Sequence, residues 1–318
     1  MYEINLDLPA EQRWKILFDD YENELDTIKP ILKSLIDTYT QNYSFIIKPL
    51  IKTYKFFKMI MYEKELSYFA KRLNIDFDYV LLLQLIYETS SCCTSIVSQV
   101  ENKYCMFRTM DWPMEFLKFI TVDLKFTKNG KTLYYATSWI GYIGILTAMI
   151  PDKCCISVNY RRTSDMTFQN LLKNVFNTMT MKYPIGYLVR EICENETNID
   201  IIKMRLCNTQ LISPCYFTVC YNKKYPEIIT RDPSSYKVHS HEYVIQTNCD
   251  NDKVEPNILY SVERRKLATK LIADVLNNFT SIKNMKDSLL VRPILNDETI
   301  YVTMMQLEND YYITDCNL

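Results

Sequence analysis

The period of the hydrophobic pattern changes near Cys93, and this change constrains the fold of the 318-residue chain more than any other feature. From residue 10 to about residue 90, apolar side chains recur every three or four positions, which is typical of amphipathic helices. One such helix is predicted over Asp76–Glu88, with Asp76 at its start. After Cys93 the period becomes two, as in strands with one buried face. The sequence therefore predicts an all-helical first third followed by an antiparallel α+β body.

The body is predicted to contain several short antiparallel strands. Ile120–Thr127 alternates apolar and polar residues, Asn129-Gly130 suits a two-residue hairpin turn, and Thr132–Ser138 returns. Further strands are predicted at Cys154–Asn159, Cys215–Tyr221, Glu227–Arg231, Tyr243–Asn248, Thr299–Gln306 and Tyr311–Thr314. Helices are predicted near Thr167–Met181, Pro184–Cys193, Ile199–Leu206 and Val262–Leu276. No repeat or long linker divides the chain, so we expect one compact domain with a helical leader.

The composition excludes several functions. The 37 basic and 38 acidic residues give a net charge of -1, which argues against nucleic-acid binding. The only histidines are His239 and His241, so a three-histidine metal site is impossible. With four glycines, the chain has neither of the common glycine-rich phosphate-binding motifs. We therefore expect no metal and no cofactor, and a hydrolytic mechanism would need a base other than histidine.

The eleven cysteines are an odd number, so at least one is unpaired within a monomer. Cys92-Cys93 and Cys154-Cys155 are adjacent pairs without C-x-x-C spacing, which does not suggest zinc. The first residues include charges throughout and no apolar secretory segment. Three glycosylation sequons, which also occur by chance, begin at Asn42, Asn195 and Asn278. The residues alone leave the cellular compartment open.

Residues 44–62 combine lysines at three- and four-residue spacing with apolar side chains. A basic amphipathic helix of this kind can lie on an anionic membrane. The alternative is a helix packed on the core that presents its lysines to water. The sequence is compatible with both.

A possible reactive site lies where the period changes. A strand from Cys93 to about Val100 would turn at residues 101–103 and return through Tyr104 to Met110, bringing Arg108 and Asp111 near Cys93. An arginine can lower the pKa of a nearby thiol, and an aspartate can orient an amine or a thiol by hydrogen bonding. The alternative is a buried structural cysteine beside a surface ion pair.

Several motifs resemble the family of N-acylethanolamine acid amidase and acid ceramidase, which are N-terminal-nucleophile hydrolases. The resemblance is carried first by CTSIV (Cys93–Val97), FRTMDWP (Phe107–Pro113) and TVDLKFTKNGKT (Thr121–Thr132). It continues almost end to end in Ile4–Trp14, Ser138–Ala148, Ile228–Asp232, Gln246–Asp250 and Arg292–Thr303. The implied fold is a four-layer αββα sandwich with an N-terminal helical subunit.

The resemblance implies a precursor that cuts itself between Cys92 and Cys93. Residues 1–92 would be a helical α-subunit or propeptide and residues 93–318 the catalytic β-subunit, associated as a heterodimer. Cys92 could compete as nucleophile, but in the family TSIV follows the nucleophile, which selects Cys93. The freed amine of Cys93 would act as base for its own thiol, so histidine is not required.

The other site residues are implied by the same resemblance. Arg108 and Asp111 would position the nucleophile and its amine, and Asn248 would donate to an oxyanion. Arg264 matches an active-site arginine, and Trp112 would line the acyl pocket. From the residues alone, Asn248 could instead be a turn residue and Arg264 a cation on a helix surface.

One departure from the family falls in the pocket region, where Tyr160 in Asn159-Tyr160-Arg161 replaces the expected glutamate. We expect reduced activity, an altered pH response or a changed substrate preference, and a non-catalytic lipid-binding or interaction homologue is the alternative. The compact Asp111–Thr121 segment resembles that of N-acylethanolamine acid amidase, whereas acid ceramidase carries a longer insertion there, so the resemblance implies N-acylethanolamines rather than ceramide as the lipid amide substrate. The resemblance implies a lysosomal protein, whereas the charged N-terminus leaves a cytoplasmic protein as the alternative.

Overall fold

The computed structural model describes residues 1–35, 37, 49, 52, 60–85, 92–161, 182–252, 254 and 257–318. The helix predicted at Thr167–Met181 lies outside the described residues, and so does most of the basic segment 44–62. Among the helices of the described ranges, none is long and apolar enough to cross a membrane.

The strands form two sheets. The first has eight strands in the order β1 (Tyr2–Asn5), β4 (Thr121–Lys128), β5 (Lys131–Trp139), β6 (Thr147–Ile150), β7 (Cys154–Tyr160), β8 (Cys215–Tyr221), β9 (Glu227–Arg231) and β10 (Tyr236–Ser240). The second has the order β11 (Val244–Gln246), β2 (Cys92–Val100), β3 (Lys103–Asp111), β13 (Thr299–Gln306) and β14 (Tyr311–Asp315), and the short β12 (Asn278–Phe279) pairs with β2. Neighbouring strands are antiparallel except in the β1–β4 and β12–β2 pairs.

Helices cover the outer face of each sheet. Those packed on the eight-stranded sheet are α1 (Ala10–Arg13), α2 (Lys15–Asp20), α3 (22–35), α4 (Glu63–Leu73), α5 (Phe77–Leu83), α6 (Ile185–Asn195) and α7 (Ile199–Asn208). The six-stranded sheet carries α8 (Ser261–Asp274) and α9 (Ile282–Leu289). Short 3₁₀ helices lie at Glu115–Ile120, Ile258–Tyr260 and Leu307–Asn309.

Strand β2 shows how its sequence builds the layers. Ile96 and Val100 pack with the apolar side chains of α8 and α9. Val97 points to the other face and packs between the sheets with Met106 and Met149. This alternation follows from the two-residue period of a strand. The layers are helices, sheet, sheet and helices, so the predicted αββα sandwich is confirmed.

Most predicted strands are confirmed, but the all-helical first third is wrong at the N-terminus. Tyr2–Asn5 forms β1, which pairs in parallel with β4 and buries Ile4 completely. A four-residue strand is too short to show a clear hydrophobic period in the sequence. Its conformation depends on pairing with β4, which is distant along the chain. The predicted strand Tyr243–Asn248 is shorter, ending at Gln246. The sequence did not predict β6, β10, β12 or α9.

A buried ionic cluster joins the N-terminal helices to the body. Arg190 on α6 is fully buried and donates to Glu65 on α4 at 3.0 Å and to Glu194 at 2.7 Å. Its guanidinium lies 4.0 Å from the ring centroid of Tyr62. We call these four residues the Arg190 cluster. Cys92 is the first cysteine in the chain, so no disulfide ties residues 1–91 to the body.

Candidate active site

The β2–β3 hairpin places the start of the proposed nucleophilic strand. Its turn is Glu101–Asn102, with φ values of 52° and 62° that match the twist of a two-residue hairpin. The register pairs Cys93 with Met110 and Cys92 with Asp111. Strand β13 then sets Thr299 beside Asp111 on the far side of β3.

Both backbone polar groups of Cys93 are bound by side chains. Its N–H donates to Asn248 Oδ1 at 2.8 Å. Its carbonyl accepts from Arg264 Nη1 at 2.8 Å and from Asn159 Nδ2 at 3.2 Å. Because Cys93 is fully buried, these contacts fix its peptide groups in a polar cage away from water.

Arg264 connects the groups around Cys93. It lies in the first turn of α8 and is fully buried, so it is not a helix-surface cation. Besides the Cys93 carbonyl, Nη1 donates to Thr94 Oγ1 at 2.8 Å and lies 3.4 Å from Asp111 Oδ2. Nη2 donates to Asn248 Oδ1 at 3.0 Å. One guanidinium thus holds the Asp111 carboxylate, the Cys93 carbonyl and the Asn248 side chain together.

Asp111 is a buried carboxylate with three side-chain donors. Thr299 Oγ1 donates to Oδ1 at 2.8 Å, and Thr109 Oγ1 donates to Oδ2 at 3.2 Å, in addition to Arg264. Burial raises the pKa of Asp111 above its ordinary value, while the Arg264 charge and the Thr299 hydrogen bond oppose the rise. Thr109 thus contributes its hydroxyl to the site.

Met110 lies between the side chains of Arg108 and Cys93. The Cys93 Sγ lies 3.7 Å from Met110 Sδ, and Arg108 Nη2 lies 3.8 Å from the same sulfur. Arg108 also donates to the carbonyls of Val158 at 2.8 Å and Thr109 at 2.9 Å. The hairpin therefore brings thiol, guanidinium and carboxylate to one end, with the Met110 thioether in contact with both the thiol and the guanidinium.

The neighbouring thiol of Cys92 is buried as well. Burial raises the pKa of Cys92 well above its ordinary value, and Arg264 opposes the rise only in part. Since the thiolate is the nucleophilic form, this environment disfavours Cys92 as the attacking residue.

Asn248 lies in the irregular segment after β11 and is fully buried, so it is not a surface turn residue. Its Nδ2 donates to the Tyr160 carbonyl at 2.9 Å, and its Oδ1 faces the Cys93 N–H. The oxygen of the asparagine is thus bound to the Cys93 N–H, and the oxyanion role expected for Asn248 stays a prediction. Tyr160 supplies its backbone carbonyl to this arrangement.

An apolar cavity opens near Trp112. Its empty volume is about 540 Å³, including the part open to solvent. Residues 1–92 and the body both line it, through Leu32, Leu35, Leu73 and Leu83 on one side and Trp112, Met114, Phe116, Leu117, Ile120, Trp139, Ile140, Gly141 and Tyr142 on the other. Trp112 therefore lies where the sequence predicted a pocket residue, whereas Tyr160 is not among the described lining residues.

Aromatic rings connect this cavity with the surroundings of Cys93. The ring centroids of Trp112 and Trp139 are 5.7 Å apart, and those of Trp139 and Tyr301 are 6.3 Å apart. Tyr301 shares the core cluster of Cys93, and burial raises the pKa of its phenol to about 12. Its hydroxyl is 3.0 Å from Thr147 Oγ1, to which Arg108 Nε donates at 3.4 Å.

Sequence reasoning missed four residues of this site: Asn159, Met110, Thr299 and Tyr301. Asn159 also binds the carbonyls of Gln246 and Thr247, and it accepts from Ser95 Oγ at 2.6 Å. It could have been found as a polar side chain on an inward position of a buried strand. The other three gave no such signal.

The histidines take no part in this site. His239 and the nearby His241 are exposed, on and just after the edge strand β10. Within the described ranges, no group of three or more histidine, cysteine or acidic side chains could hold a metal ion.

The sandwich, with a buried cysteine held at the start of an inner strand, defines a hydrolase of the N-terminal-nucleophile class. Comparisons with known proteins identify the family. Residues 1–55 match the family model described as the beta subunit of N-acylethanolamine-hydrolyzing acid amidase. The uncharacterized protein R632 of Acanthamoeba polyphaga mimivirus is 34% identical over 304 residues, which cover 94% of each chain.

Two further relatives carry functional names. Acid ceramidase of Homo sapiens is 27% identical over 347 residues, covering 99% of this chain and 86% of its own. The solved structure of the Caenorhabditis elegans N-acylethanolamine-hydrolyzing acid amidase ortholog is 27% identical, with a TM-score of 0.60 over 67% of this chain and 92% of that one. The chain belongs to the N-acylethanolamine acid amidase and acid ceramidase family of amide hydrolases.

The family model gives the beta-subunit label to the N-terminal segment. The sequence reasoning used the opposite label for residues 1–92. We therefore call residues 1–92 the N-terminal segment and residues 93–318 the C-terminal segment.

Proposed function

We propose that the chain is a precursor that cuts itself between Cys92 and Cys93 and then hydrolyses lipid amides, preferably N-acylethanolamines, with Cys93 as nucleophile. The observation that carries the proposal is the cage around the Cys93 peptide groups. The nitrogen that would become the amine is bound by Asn248, and the carbonyl next to it is bound by Arg264 and Asn159. The cage would hold the new N-terminus in the same place after the cut.

Self-cleavage proceeds by an acyl shift. The Cys93 thiolate attacks the Cys92 carbonyl, the C–N bond breaks as the nitrogen takes a proton, and a thioester joins the two residues. Water then hydrolyses the thioester, leaving a carboxylate on Cys92 and a free thiol and amine on Cys93.

Turnover uses the same residue. An unperturbed α-amine has a pKa of about 7.7–8.0 and can take the proton of the Cys93 thiol. The thiolate attacks the substrate amide carbonyl, the departing amine takes the proton, and water releases the fatty acid from the thioester. Asn248 Oδ1 would accept from the amine and direct its lone pair, while Arg264 and Asp111 hold the surrounding charges.

The cavity supports an acyl chain as the substrate's apolar part. Its lining is almost wholly aliphatic and aromatic, and the rings of Trp112, Trp139 and Tyr301 lead from it towards Cys93. The compact segment after Asp111 forms the 3₁₀ helix Glu115–Ile120 and supplies part of the wall. We infer a preference for the small ethanolamide head group, and ceramide is the second candidate because acid ceramidases match nearly the whole chain.

The wider setting follows from the same proposal. Because side chains of both segments line the cavity, the N-terminal segment would stay bound after the cut as part of a heterodimer. A lysosome-like compartment is proposed from the family, with a cytoplasmic site as the alternative. Contact of residues 44–62 with an anionic membrane would bring the cavity to its lipid substrate.

The test is a denaturing gel of the full chain incubated at acidic and neutral pH, with Cys93→Ala as the matched control. We expect pieces of residues 1–92 and 93–318 from the wild type and an intact Cys93→Ala chain. Hydrolysis of palmitoylethanolamide and of a short-chain ceramide is then compared, and faster ceramide cleavage would reverse the ranking. An intact wild-type chain with no amide turnover at any pH would instead favour a non-catalytic lipid-binding homologue.

A further inference from the structure

The segment that carries Asn248 has no regular backbone structure of its own. Strand β11 ends at Gln246, and residues 247–252 form bends and turns. Yet Asn248 Oδ1 must stay within hydrogen-bond reach of the Cys93 nitrogen, where it now lies at 2.8 Å. A displacement of about 1 Å at a reacting group can cost on the order of 100-fold in rate. Other contacts must therefore fix this segment.

An arginine at the end of β7 binds the segment two residues beyond Asn248. Arg161 Nε donates to Asp250 Oδ1 at 2.7 Å, and Nη2 donates to Oδ2 at 2.9 Å. This two-point geometry is the strongest that an arginine and a carboxylate form, and it fixes orientation as well as distance. The pair is mostly shielded from water, with 11% and 17% of the two side chains exposed.

A tyrosine also holds the Asp250 carboxylate. Tyr216 Oη donates to Asp250 Oδ1 at 2.6 Å, and the Arg161 guanidinium lies 5.7 Å from the Tyr216 ring centroid. The residue before Arg161 contributes as well, since the Tyr160 carbonyl accepts from Asn248 Nδ2. The end of β7 thus holds the segment at Asn248 and at Asp250, and so ties the eight-stranded sheet to the Cys93 strand.

We propose that Arg161 and Asp250 are positioning residues that hold Asn248 against the nitrogen of Cys93, a role that rests on the proposed function of Cys93. Neither touches Cys93 in the described contacts, so both act through Asn248. Arg161 has a second carboxylate partner, Asp232, at 2.8 Å. That side chain is 52% exposed and is not on the Asn248 segment, so the proposal assigns it no part in positioning.

A positioning role predicts losses in kcat that a purely stabilising role of Arg161 and Asp250 would not produce. At metal sites, outer groups that orient the ligating residues contribute roughly 10- to 100-fold to affinity or activity, and we expect an effect of that order here. In the full chain, Asp250→Asn and Arg161→Gln should each slow self-cleavage and lower kcat for palmitoylethanolamide by about that factor. KM should change less than about threefold, because the acyl cavity is not touched. Arg161→Lys keeps the positive charge but loses the two-point hydrogen bonding of the guanidinium, so its kcat should lie between those of the wild type and Arg161→Gln.

Two further variants make the test decisive. Asp232→Asn removes the other partner of Arg161 and should leave kcat and KM within about twofold of the wild type. Tyr216→Phe removes a single hydrogen bond to Asp250 and should lower kcat several-fold in a chain that still folds. Wild-type kcat in Asp250→Asn and Tyr216→Phe, or equal losses in Asp232→Asn and Asp250→Asn, would overturn the proposal.

A structural measurement keeps this test independent of the proposed function. In a crystal structure of Asp250→Asn in the uncut Cys93→Ala background, Asn248 Oδ1 should lie beyond hydrogen-bond reach of the residue 93 nitrogen. An unchanged contact would refute the positioning role, even if the wild-type chain proved inactive. A displaced Asn248 in a chain without amidase activity would support the positioning role of Arg161 and Asp250 but contradict the proposed function of Cys93.

Discussion

The buried pair of Arg264 and Asp111 leads to a stability prediction that can be worked through in magnitude. Neither side chain has exposed surface, and Nη1 lies 3.4 Å from Oδ2. We consider Arg264→Met in a Cys93→Ala background, which keeps the chain in one piece. The substitution removes the cation and leaves the Asp111 carboxylate buried with its two threonine donors.

Removing one partner of a buried ion pair costs about 3–5 kcal/mol, because the other charge is left uncompensated. A domain's whole free energy of unfolding is only about 5–15 kcal/mol, so this is a large share. At about 2–4 °C per kcal/mol, the melting temperature should fall by on the order of 10 °C.

The loss should also depend on pH. Burial already raises the pKa of Asp111, and without Arg264 the opposing charge is gone. A folded-state pKa above the unfolded value means that the folded chain binds the proton more tightly, so stability falls as pH rises through that range. The variant should therefore be closer to its parent near pH 4 than near pH 8.

The measurement is guanidinium unfolding followed by tryptophan fluorescence at both pH values. Lys266→Met is the matched control, since this exposed cation on α8 should change the unfolding free energy by less than about 0.5 kcal/mol. Adding Asp111→Asn to Arg264→Met should recover part of the loss at pH 8, because the unpaired charge is gone. The reasoning is refuted if Arg264→Met unfolds like Lys266→Met at both pH values.

Three further predictions concern the cavity, a carboxyl near the cut and the contact between segments. Trp112→Ala should raise KM for palmitoylethanolamide about tenfold and change KM for a hexanoyl amide much less, because it removes contacts with the acyl chain worth about 1–2 kcal/mol. Equal changes in the two KM values would contradict the assignment of this cavity to the acyl chain. Burial and a neighbouring carboxylate raise the pKa of Glu298. In thermal melts, Glu298→Gln should therefore match the stability of the wild type below pH 4 and exceed it increasingly as pH rises from 4 to 7. No gain at pH 7 would count against this placement of Glu298. In gel filtration, Glu65→Gln should release the N-terminal segment from the cut protein at a lower urea concentration than Glu194→Gln. The reason is that Glu65 lies on the N-terminal segment, whereas Glu194 lies on the same segment as Arg190. Release at equal urea concentrations would contradict the role of the Arg190 cluster.

The hairpin at Cys93 shows how far the sequence could be read. Alternating apolar residues and a short polar turn predicted the pairing that brings Asp111 next to Cys92 and Cys93. The structure confirms this pairing but sets Arg108 opposite Ser95, with Met110 between the guanidinium and the thiol. Which side chain fills that space depends on packing, and no periodicity reveals packing.

The rest of the site comes from places distant in sequence. Asn248 and Arg264 were predicted only through the family resemblance, because a lone asparagine and a helical arginine have no local signature. Thr299 reaches Asp111 through a third strand, nearly 190 residues along the chain. Strand β1 is a similar case, since its four residues become a strand only by pairing with β4. Local patterns predict elements well, but they do not predict which elements meet.

The central claim is that Cys93 becomes the N-terminal nucleophile of the cut protein. The most direct test is mass spectrometry and N-terminal sequencing of the pieces formed after incubation at acidic pH. The account predicts a C-terminal piece that begins Cys93-Thr94-Ser95 and an N-terminal piece that ends at Cys92, both absent in Cys93→Ala. A chain that stays intact, a cut at any other bond, or the same cut in Cys93→Ala would contradict it.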